Sequence, residues 1–204
     1  MRGDRRSRLR EATEGVHRKL DGIIDDAGYF VDRRSYADYL TATLHARQPL
    51  EAALNECKAE RLFNMWPDRI ISPALSMDIK DVAEQILVVD KNTIVFGKVF
   101  SAAQAVGTLY VLEGSALGAR HLAPRAHAIG MNDTFGARHF ARQLATPKSW
   151  LAFLQVLEAA SFDSSQEKEC VEASIATFGF FERAYTNQFY ENGNYHSVKS
   201  LKIN

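Results

Sequence analysis

Cysteine is nearly missing from this chain of 204 residues: Cys57 and Cys170 are the whole supply, far apart and in no metal-type spacing. That excludes a disulfide framework and points to a reducing, cytoplasmic setting. An excess of either charge is missing too. The 25 basic and 25 acidic residues leave a formal net charge of +0, which argues against a nucleic-acid binder relying on bulk charge. The sequence holds no G-x-S-x-G elbow, phosphate loop or dinucleotide fingerprint, so the familiar side-chain nucleophile and nucleotide chemistries have no foothold. Internal repeats, low-complexity runs and linkers are also absent. The basic start, Met1 to Arg10, is interrupted by Asp4 and Glu11 and leads into no apolar signal core. It reads as the first turn of a helix rather than a transit peptide.

What the chain does have is helical periodicity. Leu9, Ala12, Val16, Leu20 and Ile23 recur at three- and four-residue steps, the apolar stripe of an amphipathic helix that should end near Gly28. Asp32 can cap a second helix with Tyr36, Tyr39, Leu40, Thr43, Leu44 and Leu50 on its stripe. Pro49 should kink it. Residues 58–72 read as irregular, and a short helix is expected from about Ala74 to Leu87. Val88 to Phe96 has β character but is too isolated to build a sheet, so it reads as a loop. A long central helix follows from about Lys98 to Ala128, and a loop with Gly130 and Gly136 comes next. Thr146-Pro147 signals a helix through Ala160. Ser164-x-x-Glu167 is a capping box for a last helix running to about Tyr190, with Val171, Ile175, Phe178, Phe181 and Tyr185 on one face. The expected fold class is all-α, one domain over 1–204 with its core at about 5–190 and a polar tail at 191–204.

The central helix carries the most informative segment, Leu109-Tyr110-Val111-Leu112-Glu113-Gly114-Ser115-Ala116-Leu117-Gly118. Glycine inside a helix costs about 1 kcal/mol relative to alanine. Two of them at i and i+4 imply that another helix, or a large flat ligand, approaches the backbone there. The G-x-x-x-G spacing also occurs in membrane helix dimers. Gln104 and Glu113 inside the stretch, and its barely sufficient length, favour a buried helix over a membrane span.

His17 lies at the edge of the first helix's apolar stripe, where it is either a hydrogen-bonded core-edge residue or a ligand to heme iron. Glu14-x-x-His17 matches half of a di-iron site, but no second Glu-x-x-His occurs, and such sites need one. His45, His121, His127, His139 and His196 share no metal spacing and read as surface or helix-end histidines. Ser115 has no activating base in its neighbourhood of sequence. A cofactor performing the hard step fits this inventory better than a side-chain nucleophile.

Leu9-Arg10-x-Ala12-Thr13-x-x-x-His17-x-x-Leu20 resembles the proximal-helix signature of heme oxygenases. Leu109-Tyr110-Val111-Leu112-Glu113-Gly114-Ser115-x-Leu117-Gly118 resembles the distal helix of their bacterial branch, the biliverdin-producing type often paired with bacterial phytochromes. Ala176-Thr177-Phe178-x-x-Phe181-Glu182-Arg183 has the family's flavour. These segments stand in the family's order and cover most of the chain.

The resemblance implies a helical bundle with heme held between the first helix and a kinked central helix. It implies that His17 binds the iron and that Gly114 and Gly118 bring bare backbone to the other face. Ser115 stands where the mammalian branch has aspartate; it can meet one water but carries no charge. Arg10, Thr13, Arg183 and Phe178 are the further candidates for contacting heme. Arg10 and Arg183 suit the propionates through arginine's planar fork, although both also read as solvated surface residues. The implied reaction cleaves heme with dioxygen to biliverdin, carbon monoxide and ferrous iron. Its electrons come from an external ferredoxin or reductase, and a biliverdin-accepting phytochrome is an implied partner. Two other readings stay open. One is a heme-storage protein of this fold without turnover. The other is a helical interaction module in which Gly114 and Gly118 serve helix packing alone.

Overall fold

The computed structural model describes residues 4–83 and 101–191. The expected loop at 88–96, the start of the central helix at Lys98 and the polar tail at 192–204 lie outside them. Within them the order is α1 (Arg5–Asp26), α2 (Arg33–Glu56), a 3-10 turn (Ala59–Arg61), α3 (Trp66–Arg69), α4 (Ser72–Val82), α5 (Ala102–Ala128), α6 (Arg138–Leu144), α7 (Ser149–Ala159) and α8 (Ser164–Glu191). No helix among the described residues is long and apolar enough to cross a membrane.

Local chemistry sets the helix ends. Asp4 caps α1 by accepting from the Arg6 amide at 3.1 Å. Past its end, Gly28 takes φ +65°, a conformation that costs a residue with a Cβ about 1 kcal/mol or more. Asp32 and Ser35 form a reciprocal capping box on α2, and Ser101 and Gln104 form another on α5. The box on α8 differs from the expected one. Asp163 and Gln166 exchange side-chain bonds at 2.9 and 3.0 Å, one residue before the Ser164–Glu167 pair read from sequence. Glu167 is instead bound to Arg5.

Two further differences concern helix count. Residues 58–72 are not irregular throughout, since they hold the 3-10 turn and α3. The helix α6 has no counterpart among the expected elements; it is short, and Gly136, at φ +75° just before it, reads as loop. Pro49 lies inside α2, and Pro124 inside α5, without ending either helix.

The core is layered around α8, which packs against α1, α2 and α5. The α8 backbone comes up against α5 at Gly107, not at the two glycines of the central motif. A Cβ on Gly107 would run into the Cys170 carbonyl oxygen and come within 3.1 Å of the Ala173 Cβ. Buried phenols lock the other helices: Tyr29 donates to the Tyr185 carbonyl and Tyr36 to the Gly136 carbonyl, each at 2.8 Å. The helices α1 and α5 both lean on α8 yet scarcely touch one another.

Candidate functional site

On α1 the helical period puts Leu9, Thr13 and Leu20 in the core and leaves His17 at the rim. The His17 side chain is 60% exposed, with Nε2 3.6 Å from an Asp21 carboxylate oxygen. Its ring lies 5.2 Å from that of Phe178 on α8, which is itself buried. Thr13, one turn earlier, donates its hydroxyl to the Leu9 carbonyl at 2.7 Å. It also faces the Tyr110 phenol on α5. Burial raises the pKa of that phenol, while the Thr13 bond and the charges of Arg6 and Arg10 oppose the rise. Thr177 of α8 touches Thr108 of α5 at 3.4 Å. Adjacent α8 residues thus reach α5 and His17, making α8 the floor between the two helices.

On α5 the two motif glycines differ in what they face. Beyond its own helix, no described atom lies within 4 Å of where a Gly118 Cβ would sit, and at Gly114 the nearest is the Trp150 ring at 3.8 Å. The alternative in which both serve helix packing alone fails at Gly118, while the expectation of bare backbone holds there but not at Gly114, whose face the Trp150 ring of α7 covers at van der Waals distance. Ser115 is half-buried between them. Its hydroxyl donates to the Leu112 carbonyl at 2.6 Å and accepts from the Gln143 amide at 3.1 Å. One lone pair is left to meet a donor from outside.

Behind this stretch lies a buried charge network that the sequence motifs do not announce. Glu113 accepts from Arg69 Nε at 2.9 Å and from the Ser149 hydroxyl. Arg69 also donates to the Gln143 carbonyl at 3.1 Å. Arg47 donates to the Arg69 carbonyl at 3.0 Å and pairs with Glu51 at 2.9 Å. Glu51 receives the Ile71 and Ser72 amides, each at 3.0 Å. The available signal is a carboxylate, Glu113, inside an apolar helix; a buried charge needs a partner, but sequence does not say which arginine supplies it.

The other candidates scatter. Arg10 is exposed on α1, two turns before His17. Arg183 is exposed on α8, with its guanidinium 5.7 Å from the Phe180 ring centroid, and is not brought to His17 by any contact. Lys19 and Glu182 make the ion pair that ties α1 to that part of α8, at 2.6 Å. Among the remaining histidines, His121 and His127 are exposed as expected, and His196 lies outside the described residues. His45 is half-buried in the middle of α2, and His139 is fully buried. His45 is thus neither at the surface nor at a helix end, and His139 stands at the helix end expected for it but is buried rather than at the surface, because Asp78 partners its ring there.

An exposed imidazole on one helix and side-chain-free backbone on another, over a common floor, suit a flat iron macrocycle. Residues 5–187 match the family model described as heme oxygenase. The chain belongs to the heme oxygenase family. It is similar to heme oxygenase PigA of Pseudomonas aeruginosa, at 27% identity over 178 residues, covering 87% of this chain and 89% of that protein. Its fold is similar to that of the heme oxygenase from Neisseria meningitidis whose NO- and CO-bound crystal structures are known. That match has a TM-score of 0.78 and 24% identity, covering 92% of this chain and 93% of the other. The all-α heme oxygenase fold expected from the helical periodicity and the two motifs is the one observed. This heme oxygenase is an oxidoreductase with heme as substrate and an external source of electrons.

Proposed function

We propose that this heme oxygenase opens heme to biliverdin, releasing carbon monoxide and ferrous iron, with His17 as the iron ligand. Heme would supply both the ring that is cut and the iron that activates dioxygen. The chain's own residues bind, orient and shield. The weak His17–Asp21 pairing leaves the imidazole free to bind a metal. Phe178 backs the imidazole, and Thr13 holds the Tyr110 side of the space. Gly114 and Gly118 let the α5 backbone come close to the ring. Ser115 offers one acceptor lone pair to a water there, with its hydrogen already spent on Leu112. Arg10 and Arg183 would meet the propionates at the rim.

The observation that carries this reading is the contrast among the α5 glycines. Gly107 is spent on helix packing, whereas no described atom beyond its own helix lies within 4 Å of a Gly118 Cβ, which leaves room for a ligand to approach the backbone there.

The chain carries no flavin or nicotinamide motif, which supports an external ferredoxin or reductase as donor. The branch resemblance makes a phytochrome the acceptor to test for the biliverdin. Free Cys57 and Cys170 suit a reducing cytoplasm, and residues 1–204 are taken as one domain.

The test is heme titration followed by aerobic reduction and pigment extraction. A histidine-type Soret band, its loss in His17→Ala, and a green bilin product are expected. Heme uptake with no bilin would instead identify a storage protein. A histidine-type band that survives unchanged in His17→Ala would remove His17 from its role.

A further inference from the structure

His139 is the one histidine wholly inside the described core whose ring is tied at a single nitrogen. It lies on α6 with no exposed surface. Its Nδ1 is 2.8 Å from Asp78 Oδ2, which also accepts the His139 backbone amide at 2.9 Å. Asp78 Oδ1 accepts from the Arg138 amide and guanidinium, each at 3.0 Å, and Asp81 pairs with the same guanidinium. Burial pushes the Asp78 carboxyl up, but its bonds to the ring and backbone of His139 and to Arg138 outweigh it and hold the group below the usual range. An ionised carboxylate accepts, so the ring places its hydrogen on Nδ1. Nε2 is then a bare acceptor. It is buried and has no hydrogen-bond partner among the described residues.

Among the described residues, no donor reaches Nε2. Phe140 lies against the ring at 4.0 Å and has none. Tyr39 is 6.1 Å away, and its phenol is engaged with Thr43 and Tyr185. Buried polar atoms left by the protein in this way are met by ordered water. The location gives such a water a role. Gln143 lies one turn beyond His139 on the buried side of α6 and donates to Ser115. Arg47, whose charge is felt at the His139 ring, reaches 3.5 Å from the Leu112 carbonyl that receives the Ser115 hydroxyl.

We propose that His139 is a positioning residue: its Nε2 anchors an internal water behind the distal helix α5, and that water joins α6 to the Arg47–Leu112–Ser115 knot. The water gives one hydrogen to Nε2, which fixes its orientation. Its second hydrogen and its oxygen lone pairs remain for the knot. Asp78 sets this polarity by keeping the ring's hydrogen on Nδ1. The effect on bound heme rests on the function proposed above; the water site itself does not.

The heme-free protein tests the anchor directly. Long-range 1H–15N spectra of the His139 ring should show Nδ1 protonated and Nε2 unprotonated but hydrogen-bonded, with a cross-peak from a ring proton to long-lived water. A proton on Nε2, or no water cross-peak, overturns the proposal. In the heme-loaded ferric protein, titrated with pH and followed by its visible heme bands, His139→Phe should move the midpoint by about 0.5 unit or more, a threefold change in the acid constant. The Soret band should not change, and His139→Gln should restore most of the shift. An unmoved midpoint in His139→Phe overturns the coupling to α5. Failure of the unaltered protein to take up heme would refute the proposed function instead, and the ring spectra of the heme-free protein would still decide whether the water is there.

Discussion

Arg69 Nε sits 2.9 and 3.2 Å from the two carboxylate oxygens of Glu113, and neither side chain is more than 3% exposed. Glu113 immediately precedes Gly114 in the chain, so the pair bolts α5 to α3 just where the helix turns its bare face outward. Removing one partner leaves a buried unpaired charge, which costs roughly 3–5 kcal/mol. Glu113→Leu or Arg69→Met should each lower stability by about that much in urea unfolding. The double variant should recover at least half of the loss, because an apolar pair carries no desolvation penalty. A double variant as unstable as the sum of the single ones would show that the pair is not a unit.

How much of this is legible in the sequence depends on range. The α1 stripe, the Asp32 cap and the α5 motif are local patterns, and the helices follow them. The cap of α8 falls one residue from its expected place, because Ser164–Glu167 and Asp163–Gln166 both have capping chemistry and a tertiary demand decides: Arg5 takes Glu167. The helix α6 is too short to show a period. Arg47, Arg69 and Gln143 are distant in sequence from Ser115 and become neighbours only through packing, so no spacing announces them. His139 reads as a surface or helix-end residue, and that its helix end is buried shows only once Asp78, on another helix, is seen to partner it.

The α5 glycines should separate by location. Gly107→Ala drives a methyl into the Cys170 carbonyl, and backbone cannot yield as a flexible side chain can. A loss of roughly 1–3 kcal/mol or more is expected in thermal or urea unfolding. Gly118→Ala meets no neighbour and should gain roughly 0.5–1 kcal/mol from helix propensity. Gly118→Phe should fold as well as the parent and bind heme at least about tenfold more weakly, a difference of about 1.4 kcal/mol. Unchanged heme affinity in that variant would remove the ligand from this face.

Arg5 anchors the start of α1 to α8. Its guanidinium meets both oxygens of Glu167, at 2.7 and 3.0 Å, and the Ala160 carbonyl at 2.8 Å, and lies 4.7 Å from the Phe162 ring centroid. Arg5→Ala should cost about 1–3 kcal/mol, since it removes charge-assisted bonds from a buried guanidinium while Glu167, partly exposed, keeps Arg8. Arg5 is also the main reason that the Glu167 carboxyl is held below its ordinary value of 4.5. A depressed carboxyl stabilises the fold above its unfolded pKa and loses that contribution as pH falls through the folded one. The deficit of Arg5→Ala relative to the parent should therefore shrink as pH drops below about 4.5; a constant deficit would show that packing, not the ion pair, dominates.

The His139 ring makes the fold sensitive to mild acid in a different window. Burial pushes its pKa below 6.5, the charge of Arg47 adds to that, and Asp78 opposes without reversing it. Above about pH 6.5 the ring is neutral in both folded and unfolded chains, so its protonation favours neither. Below it the unfolded chain takes up a proton that the buried ring refuses, and stability falls with pH until the folded pKa is reached. The slope for one such group approaches about 1.4 kcal/mol per pH unit. Asp78 is held below the usual carboxylate range, so it stays ionised throughout this window. Urea midpoints of the unaltered protein should decline between about pH 7 and pH 5.5, and those of His139→Gln should decline less because an amide takes up no proton. Parallel declines in the two proteins would place the acid-sensitive group elsewhere, with half-buried His45 the next histidine to replace.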